Sequence, residues 1–237
     1  MCGITGGIWT DPESEISGPT LERMTEVLVH RGPDDVGFYR SALRADPPYG
    51  TVPGVALGFR RLSIIDLVDG QQPMANEDRS IWVVFNGEIY NFASLRNRLE
   101  GGGHCFRTRS DTETIVHLYE DQGLDCFSHF NGMFAIAIWD IARRRLVLAR
   151  DRLGQKPLVY CHQRHRFLFA SQLKSLLQVS DISRDIDPSA IDQYLAYQYI
   201  PHPSTVFRSM RKLPPGHMAV VENDTLTVEP FWNPDFQ

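Results

Sequence analysis

Apolar positions along the chain cluster in short runs and shared helix faces, which predicts a sheet protein interrupted by a few amphipathic helices. Ile4 to Trp9 is an apolar run that stops at the turn formers Asp11 and Pro12, so it reads as a strand. Thr20 is the expected cap of a helix whose Leu21, Met24, Val27 and Leu28 share one face and which ends before Arg31-Gly32-Pro33-Asp34. Val55 to Leu62 and Ser80 to Asn86 read as further strands. A helix is expected from Asn91 to Glu100, closed by Gly101, Gly102 and Gly103. No strand leads into those glycines, so they read as a C-cap and loop rather than a phosphate cradle. Ser110 and Glu113 have the spacing of a capping box, opening a helix through Ile115, Val116 and Tyr119. Met133 to Asp140 and Arg145 to Arg150 flank a polar turn as two strands, and Pro157 to Tyr160 with Phe167 to Ala170 predict a second hairpin. The Pro-rich stretch from Pro201 to Pro215 loosens the pattern before a last hairpin about Asn223 and Asp224. Many antiparallel strands with few helices point to an α+β layered fold.

Composition narrows the partners. A chain of 237 residues, 42% apolar and 22% charged, fits one large domain with a tail, or a domain and a piece of a second. The formal charge of -5 and the scattered Lys and Arg residues argue against nucleic acid as a partner. No apolar run approaches ~18 residues and the start lacks the basic-then-apolar order of a signal peptide, so a soluble, cytoplasmic protein with no membrane partner is expected. In a reducing compartment Cys2, Cys105, Cys126 and Cys161 are expected to stay unpaired, the last three as buried small apolar residues. Their spacing suits no zinc pair, and His162 and His165 sit in a polar turn where solvation explains them, so no metal is expected.

The chemistry begins at Cys2. Removal of Met1 leaves a thiol and a free α-amine on one residue, a nucleophile with a base already attached. A thiol with pKa about 8.5 is mostly protonated at neutral pH, while an α-amine near ~7.7–8.0 is partly neutral and can take that proton. The alternative is that a small second residue simply permits methionine removal. Three polar clusters stand at element ends. In Arg60-Arg61-Leu62-Ser63-Ile64-Ile65-Asp66 a guanidinium leaves an apolar segment and can grip a carboxylate through two hydrogen bonds, although a solvated strand-end arginine also fits. Asn86-Gly87-Glu88-Ile89-Tyr90-Asn91 pairs a side-chain amide with an unobstructed backbone N–H, as a tetrahedral oxyanion requires, yet Asn-Gly is also a common turn. Glu88 adds an acceptor for an ammonium group. Asp111, within Ser110-Asp111-Thr112-Glu113, either complements a helix dipole or faces a substrate amine. Together these groups match the parts of glutamine.

Taken in order, Met1-Cys2-Gly3-Ile4, His30 to Asp34, Arg61 to Asp66, Phe85 to Asn91, Ser110-Asp111, Gly132 to Ala135 and Arg150 to Leu158 resemble the glutaminase half of glutamine-hydrolysing asparagine synthetases, a branch of the class II glutamine amidotransferases. The resemblance implies the N-terminal nucleophile hydrolase fold, a four-layer αββα sandwich of two stacked antiparallel sheets. It also implies an amidotransferase domain over residues 2–216, with residues 217–237 as a terminal hairpin and linker toward an absent ATP pyrophosphatase domain. By the same resemblance Arg61 binds the glutamine carboxylate beside Leu62, Ser63, Ile64 and Ile65, Glu88 and Asp111 bind its amine, Asn86 and Gly87 form the oxyanion hole, and the Cys2 amine moves the proton. No cofactor is expected on this chain; ATP and magnesium belong to the absent synthetase domain, which receives the ammonia and makes the whole a ligase. The family leaves room for a homodimer.

The sequence also departs from the family pattern. These 237 residues hold no Ser-Gly-Gly-x-Asp-Ser loop, so the chain is read as a fragment or as a subunit needing a synthetase partner. Gln172 stands where a glutamate is expected and Val159 where an aromatic is common. Two alternatives stay open: a glutaminase serving another carboxylate acceptor, and a non-catalytic module that binds glutamine or a partner. The intact set of Cys2, Arg61, Asn86, Gly87, Glu88 and Asp111 argues against the second.

Overall fold

The structure, a computed structural model, describes residues 1–48, 50–62 and 70–234. The chain first lays down β1 (Gly3–Trp9), α1 (Gly18–Glu26), β2 (Asp35–Ser41), the short ribbon β3 (Arg44–Ala45) and β4 (Thr51–Val52), and β5 (Gly54–Arg61). Its middle forms β6 (Met74–Ala75), β7 (Ile81–Ile89), α2 (Phe92–Gly101), α3 (Asp111–Gln122), α4 (Cys126–His129), β8 (Gly132–Asp140) and β9 (Arg145–Arg150). The remainder gives β10 (Val159–Gln163), β11 (Arg166–Ala170), α5 (Leu173–Leu176), α6 (Pro188–Tyr197), β12 (Met210–Lys212), β13 (His217–Glu222) and β14 (Thr225–Pro230).

The strands build two six-stranded antiparallel sheets, ordered β12-β10-β11-β1-β5-β2 and β14-β13-β9-β8-β7-β6. Period-two alternation sends each strand's side chains to two different cores. Ile4 and Ile8, Val55, Leu57 and Phe59, and Phe167 and Phe169 leave the first sheet to meet Val84, Ala135, Ala137, Trp139, Leu146 and Leu148 of the second. The opposite face of the second sheet, through Val83, Phe85, Ile136 and Ile138, packs against Leu95 and Leu99 of α2 and Ile115, Leu118 and Tyr119 of α3. The outer face of the first sheet, through Ala56, Cys161, Leu168 and Ala170, packs on Leu21 and Met24 of α1 and Leu176 of α5. Helix, sheet, sheet, helix is the expected αββα sandwich.

Some local expectations hold and others are revised. The cap of α1 is Ser17, whose Oγ accepts from Thr20 N at 3.3 Å, so Thr20 lies inside the first turn. Ser110 does cap α3, but through Thr112 N at 3.2 Å, and Glu113 turns to the preceding loop instead of closing a capping box. Cys126 and Cys161 are buried, whereas Cys105 is exposed. The last hairpin turns at Asn223 and Asp224, both at positive φ, and β13 pairs with β9 over Met218–Glu222. Residues 217–230, within the segment expected as a terminal hairpin and linker, supply two strands of the second sheet. Among the described residues no helix is long and apolar enough to cross a membrane.

Candidate active site

The two core faces determine what reaches the cleft between the sheets. On β5, Val55, Leu57 and Phe59 face the second sheet, so Arg61, two residues further, continues on that side at the strand end. Cys2 likewise continues the Ile4 and Ile8 face just ahead of β1, and Asn86 and Glu88 continue the Val84 face of β7. Residues from three strand ends thus line one cavity of about 190 Å³, together with Leu62, Gly87, Asp111, Gln72 and Lys156.

Cys2 is held from both sides. Cys2 Sγ donates to the Leu62 carbonyl at 3.7 Å and accepts from Leu62 N at 3.4 Å. The Cys2 carbonyl accepts from Arg31 Nε at 2.9 Å, and Ile4 N donates to Ser171 Oγ at 3.0 Å. These contacts fix the backbone on each side of Gly3. Leu62, expected beside a substrate carboxylate, thus also brackets the sulfur. Ser63, Ile64, Ile65 and Asp66 lie outside the described residues.

Asn86 is 1% exposed, and its Nδ2 is a buried donor without a hydrogen-bond partner among the described residues. Such a group is destabilising by about 1–3 kcal/mol, and buried polar groups are almost always satisfied, so an orphan donor on a cavity wall marks a place for an incoming acceptor. Next to it, a Cβ on Gly87 would stand 2.1 Å from the Met133 carbonyl oxygen, so only glycine allows β8 to approach this closely.

Asp111 opens α3 and accepts from Ile89 N at 3.0 Å, which ties the helix start to the end of β7. Burial raises its pKa, the hydrogen bonds from Ile89 and Thr112 oppose that, and the nearby Glu88 charge adds to the rise. A cation beside this pair would relieve both effects. Gln72 staples the same corner: its Oε1 accepts from Phe85 N at 2.6 Å and its Nε2 donates to Thr112 Oγ1 at 3.2 Å. Lys156 is buried on the cavity wall, and burial, helped by Arg31, lowers its pKa.

The structure therefore brings Cys2, Arg61, Leu62, Asn86, Gly87, Glu88 and Asp111 to one place. It adds Arg31, Gln72 and Lys156, which the sequence reading left without a role. Arg31 and Lys156 lie within the family segments, so their position there was the available signal. Gln72 arrives from a loop with no local pattern to single it out. The reading also missed a group of metal-type ligands, Glu77, His104 and His117, which assemble from three separate segments.

A family model described as "Glutamine amidotransferase domain" matches residues 1–232. Asparagine synthetase [glutamine-hydrolyzing] 1 of Bacillus subtilis is 36% identical over 240 residues, covering 100% of this chain and 36% of that protein. Asparagine synthetase [glutamine-hydrolyzing] 2 of the same organism is 45% identical over 178 residues, covering 74% of this chain and 22% of that protein. This chain thus spans only about a third of the length of the first of these relatives. Among solved structures, the glutamine phosphoribosylpyrophosphate amidotransferase from B. subtilis superposes with a TM-score of 0.66 at 19% identity, covering 98% of this chain and 49% of that one, which supports the shared fold. With a family match over nearly its whole length, the chain belongs to the glutamine amidotransferase domain family.

Proposed function

We propose that this domain hydrolyses glutamine to glutamate and ammonia, with Cys2 as nucleophile once Met1 has been removed. The observation that carries the reading is the composition of the cleft: a sulfur, a buried amide donor with no hydrogen-bond partner, a guanidinium and two carboxylates around one cavity. Arg61 takes the α-carboxylate of glutamine, beside backbone groups of Leu62, Ser63, Ile64 and Ile65. Glu88 and Asp111 take its α-ammonium, which favours the charged form of Asp111 that burial opposes. This leaves the side-chain carboxamide facing Cys2.

While Met1 is attached, the Cys2 nitrogen is an amide and cannot accept a proton. Freed, it takes the thiol proton directly or through a water, and the sulfur attacks the carboxamide carbon. Charge moves to the carbonyl oxygen, where Asn86 Nδ2 and the Gly87 N–H meet it. Losing one such donor commonly lowers the rate by about 10² to 10³. The carbon–nitrogen bond then breaks, ammonia leaves with the proton held by the α-amine, and a thioester remains. Water attacks the thioester, returns a proton to sulfur and releases glutamate.

Beyond this half-reaction, the relatives' names support a partner that consumes the ammonia. The acceptor is a synthetase domain or subunit that binds ATP and magnesium and activates a carboxylate, with aspartate the reading supported by the names of the asparagine synthetases.

The test is direct. Purified chain lacking Met1 should release glutamate from glutamine without ATP, and Cys2→Ala should abolish release. A retained N-terminal extension should silence the chain equally. Equal rates in Cys2→Ala and the unaltered chain would refute the mechanism.

A further inference from the structure

Outside the cleft, two imidazoles and several carboxylates meet where the turn after β6, the loop after α2 and helix α3 come together. Ligand-type atoms of Glu77, His104 and His117 all lie within 4.8 Å of one another. His117 Nδ1 stands 3.6 Å from Glu120 Oε2 and 3.8 Å from Glu77 Oε2, and His104 Nδ1 stands 3.9 Å from the same Glu120 oxygen. A zinc ion with ligands at about 2.0–2.1 Å in a tetrahedron sets them about 3.3–3.4 Å apart, so the three measured contacts are a few tenths of an ångström wider than a closed site, and a spacing of up to 4.8 Å within the Glu77, His104 and His117 group requires side chains to draw in by about an ångström on binding.

The second observation is His117 itself. Its side chain is 2% exposed, and among the described residues neither ring nitrogen has an acceptor within hydrogen-bond distance, the nearest carboxylate oxygens standing at 3.6–3.8 Å. Buried imidazoles normally find a donor or an acceptor. The surrounding groups, by contrast, are oriented. His104 Nε2 pairs with Asp121 Oδ1 at 2.9 Å, which leaves Nδ1 as the lone-pair nitrogen facing inward. Asn76 Nδ2 donates to Glu120 Oε1 at 3.2 Å and so directs the other oxygen to the imidazoles. Glu113 Oε1 lies 3.8 Å from His117 Nε2, ready to accept its N–H. A carboxylate or amide behind each ligand is the usual support of a metal site.

We propose that Glu77, His104, His117 and Glu120 bind one divalent first-row transition ion, with zinc the best fit. Two imidazoles and two carboxylates, without a thiolate, suit zinc, and four protein ligands describe a closed structural site rather than a catalytic one. The ion would fasten the turn after β6 and the loop after α2 onto α3. His117 lies six residues along that helix from Asp111, about 9 Å of rise. Metal binding would thereby stiffen the element that presents Asp111 to the cleft, but the site does not depend on the proposed glutamine chemistry. In sequence only His117 and Glu120, three apart on α3, form a local pair, and the other ligands come from two further segments.

A proton on His117 is the rival way to balance these carboxylates, and it predicts no zinc uptake. The test uses the full chain, untagged, chelator-stripped and in a Cys2→Ala background so that the reactive thiol cannot take the ion. Titration with zinc chloride followed by calorimetry should give one ion per chain, and the melting temperature should rise with zinc. Asp121→Asn should weaken binding about 10- to 100-fold, and His104→Gln and His117→Gln should weaken it further. Because His117 is buried and its variant is at risk of misfolding, His104→Gln and Glu77→Gln, at more exposed positions, serve as the decisive pair, with circular dichroism to confirm folding. Cobalt(II) in place of zinc should give tetrahedral absorption without a thiolate charge-transfer band. Lack of saturable zinc binding, or undiminished binding in both decisive variants, would overturn the site.

Discussion

Arg61 is buried at the end of β5, where water competes poorly for a substrate carboxylate. Removing one partner of a desolvated charge pair commonly costs about 2–5 kcal/mol, so Arg61→Ala should raise the glutamine KM steeply while changing kcat less. Steady-state glutamate release measures this, and an unchanged KM would remove Arg61 from its proposed role. At the same scale, Asn86 and Gly87 would, in the proposed reaction, meet the oxyanion by different means. One contributes a buried amide without a hydrogen-bond partner, the other a backbone that any side chain would push away from β8. Cys2 depends on a third device, the paired contacts to Leu62 and the grip of Arg31 on its carbonyl.

At the scale of elements, α3 is anchored by Glu113 as well as capped by Ser110. Burial works against the Glu113 charge, but His117, the Thr108 hydroxyl and the N–H groups of Arg107 and Thr108 outweigh it and hold the pKa at about 2, below its ordinary 4.5. A carboxyl with a depressed folded pKa contributes stability that is full above 4.5 and is lost as pH falls toward about 2. Glu113→Gln should therefore destabilise the domain by about 1–3 kcal/mol at neutral pH, and the gap to the unaltered chain should close on acidification through that window. Urea unfolding at a series of pH values checks it; a gap independent of pH would exclude titration of this group as the cause.

The same elements show what was legible beforehand. β1, β7, β8, β9 and the β10–β11 hairpin were readable because they are nearly continuous apolar runs buried on both faces. β2 was not, because it is an edge strand whose residues alternate between half-buried and exposed and carry no apolar stripe. α6 escaped for a related reason: only Ala190 of its residues is buried, so its face gives no periodic signal despite the Asp187 cap and Pro188. In the site, Cys2, Arg61, Asn86, Glu88 and Asp111 were legible because each stands at an element end beside a strong pattern. Gln72 and His104 were not, since long-range packing brings them to their partners, and His117 was not, since its i,i+3 and i,i+4 carboxylates read as ordinary helix-surface pairs.

For the molecule as a whole, the closing hairpin tests where the domain ends. β13 places Met218 in the core under the α2–α3 layer and Ala219 and Val221 in the core between the sheets. Burying a side chain of this kind is worth about 1.5–3 kcal/mol, so a chain stopped after Gly216 should lose at least ~3 kcal/mol and expose the edge of β9. Denaturant unfolding and solubility measure this; a truncated chain as stable as the full one would show that the hairpin is an appendage.

The alternation that carries β5 from Phe59 to Arg61 also constrains how such a domain can diverge. Gaining or losing a single residue ahead of that arginine would swing its guanidinium to the α1 side of the sheet and aim its neighbour at the cleft. Length changes are accordingly confined to connecting loops, while the walls of the cavity can vary only by exchanging one side chain for another.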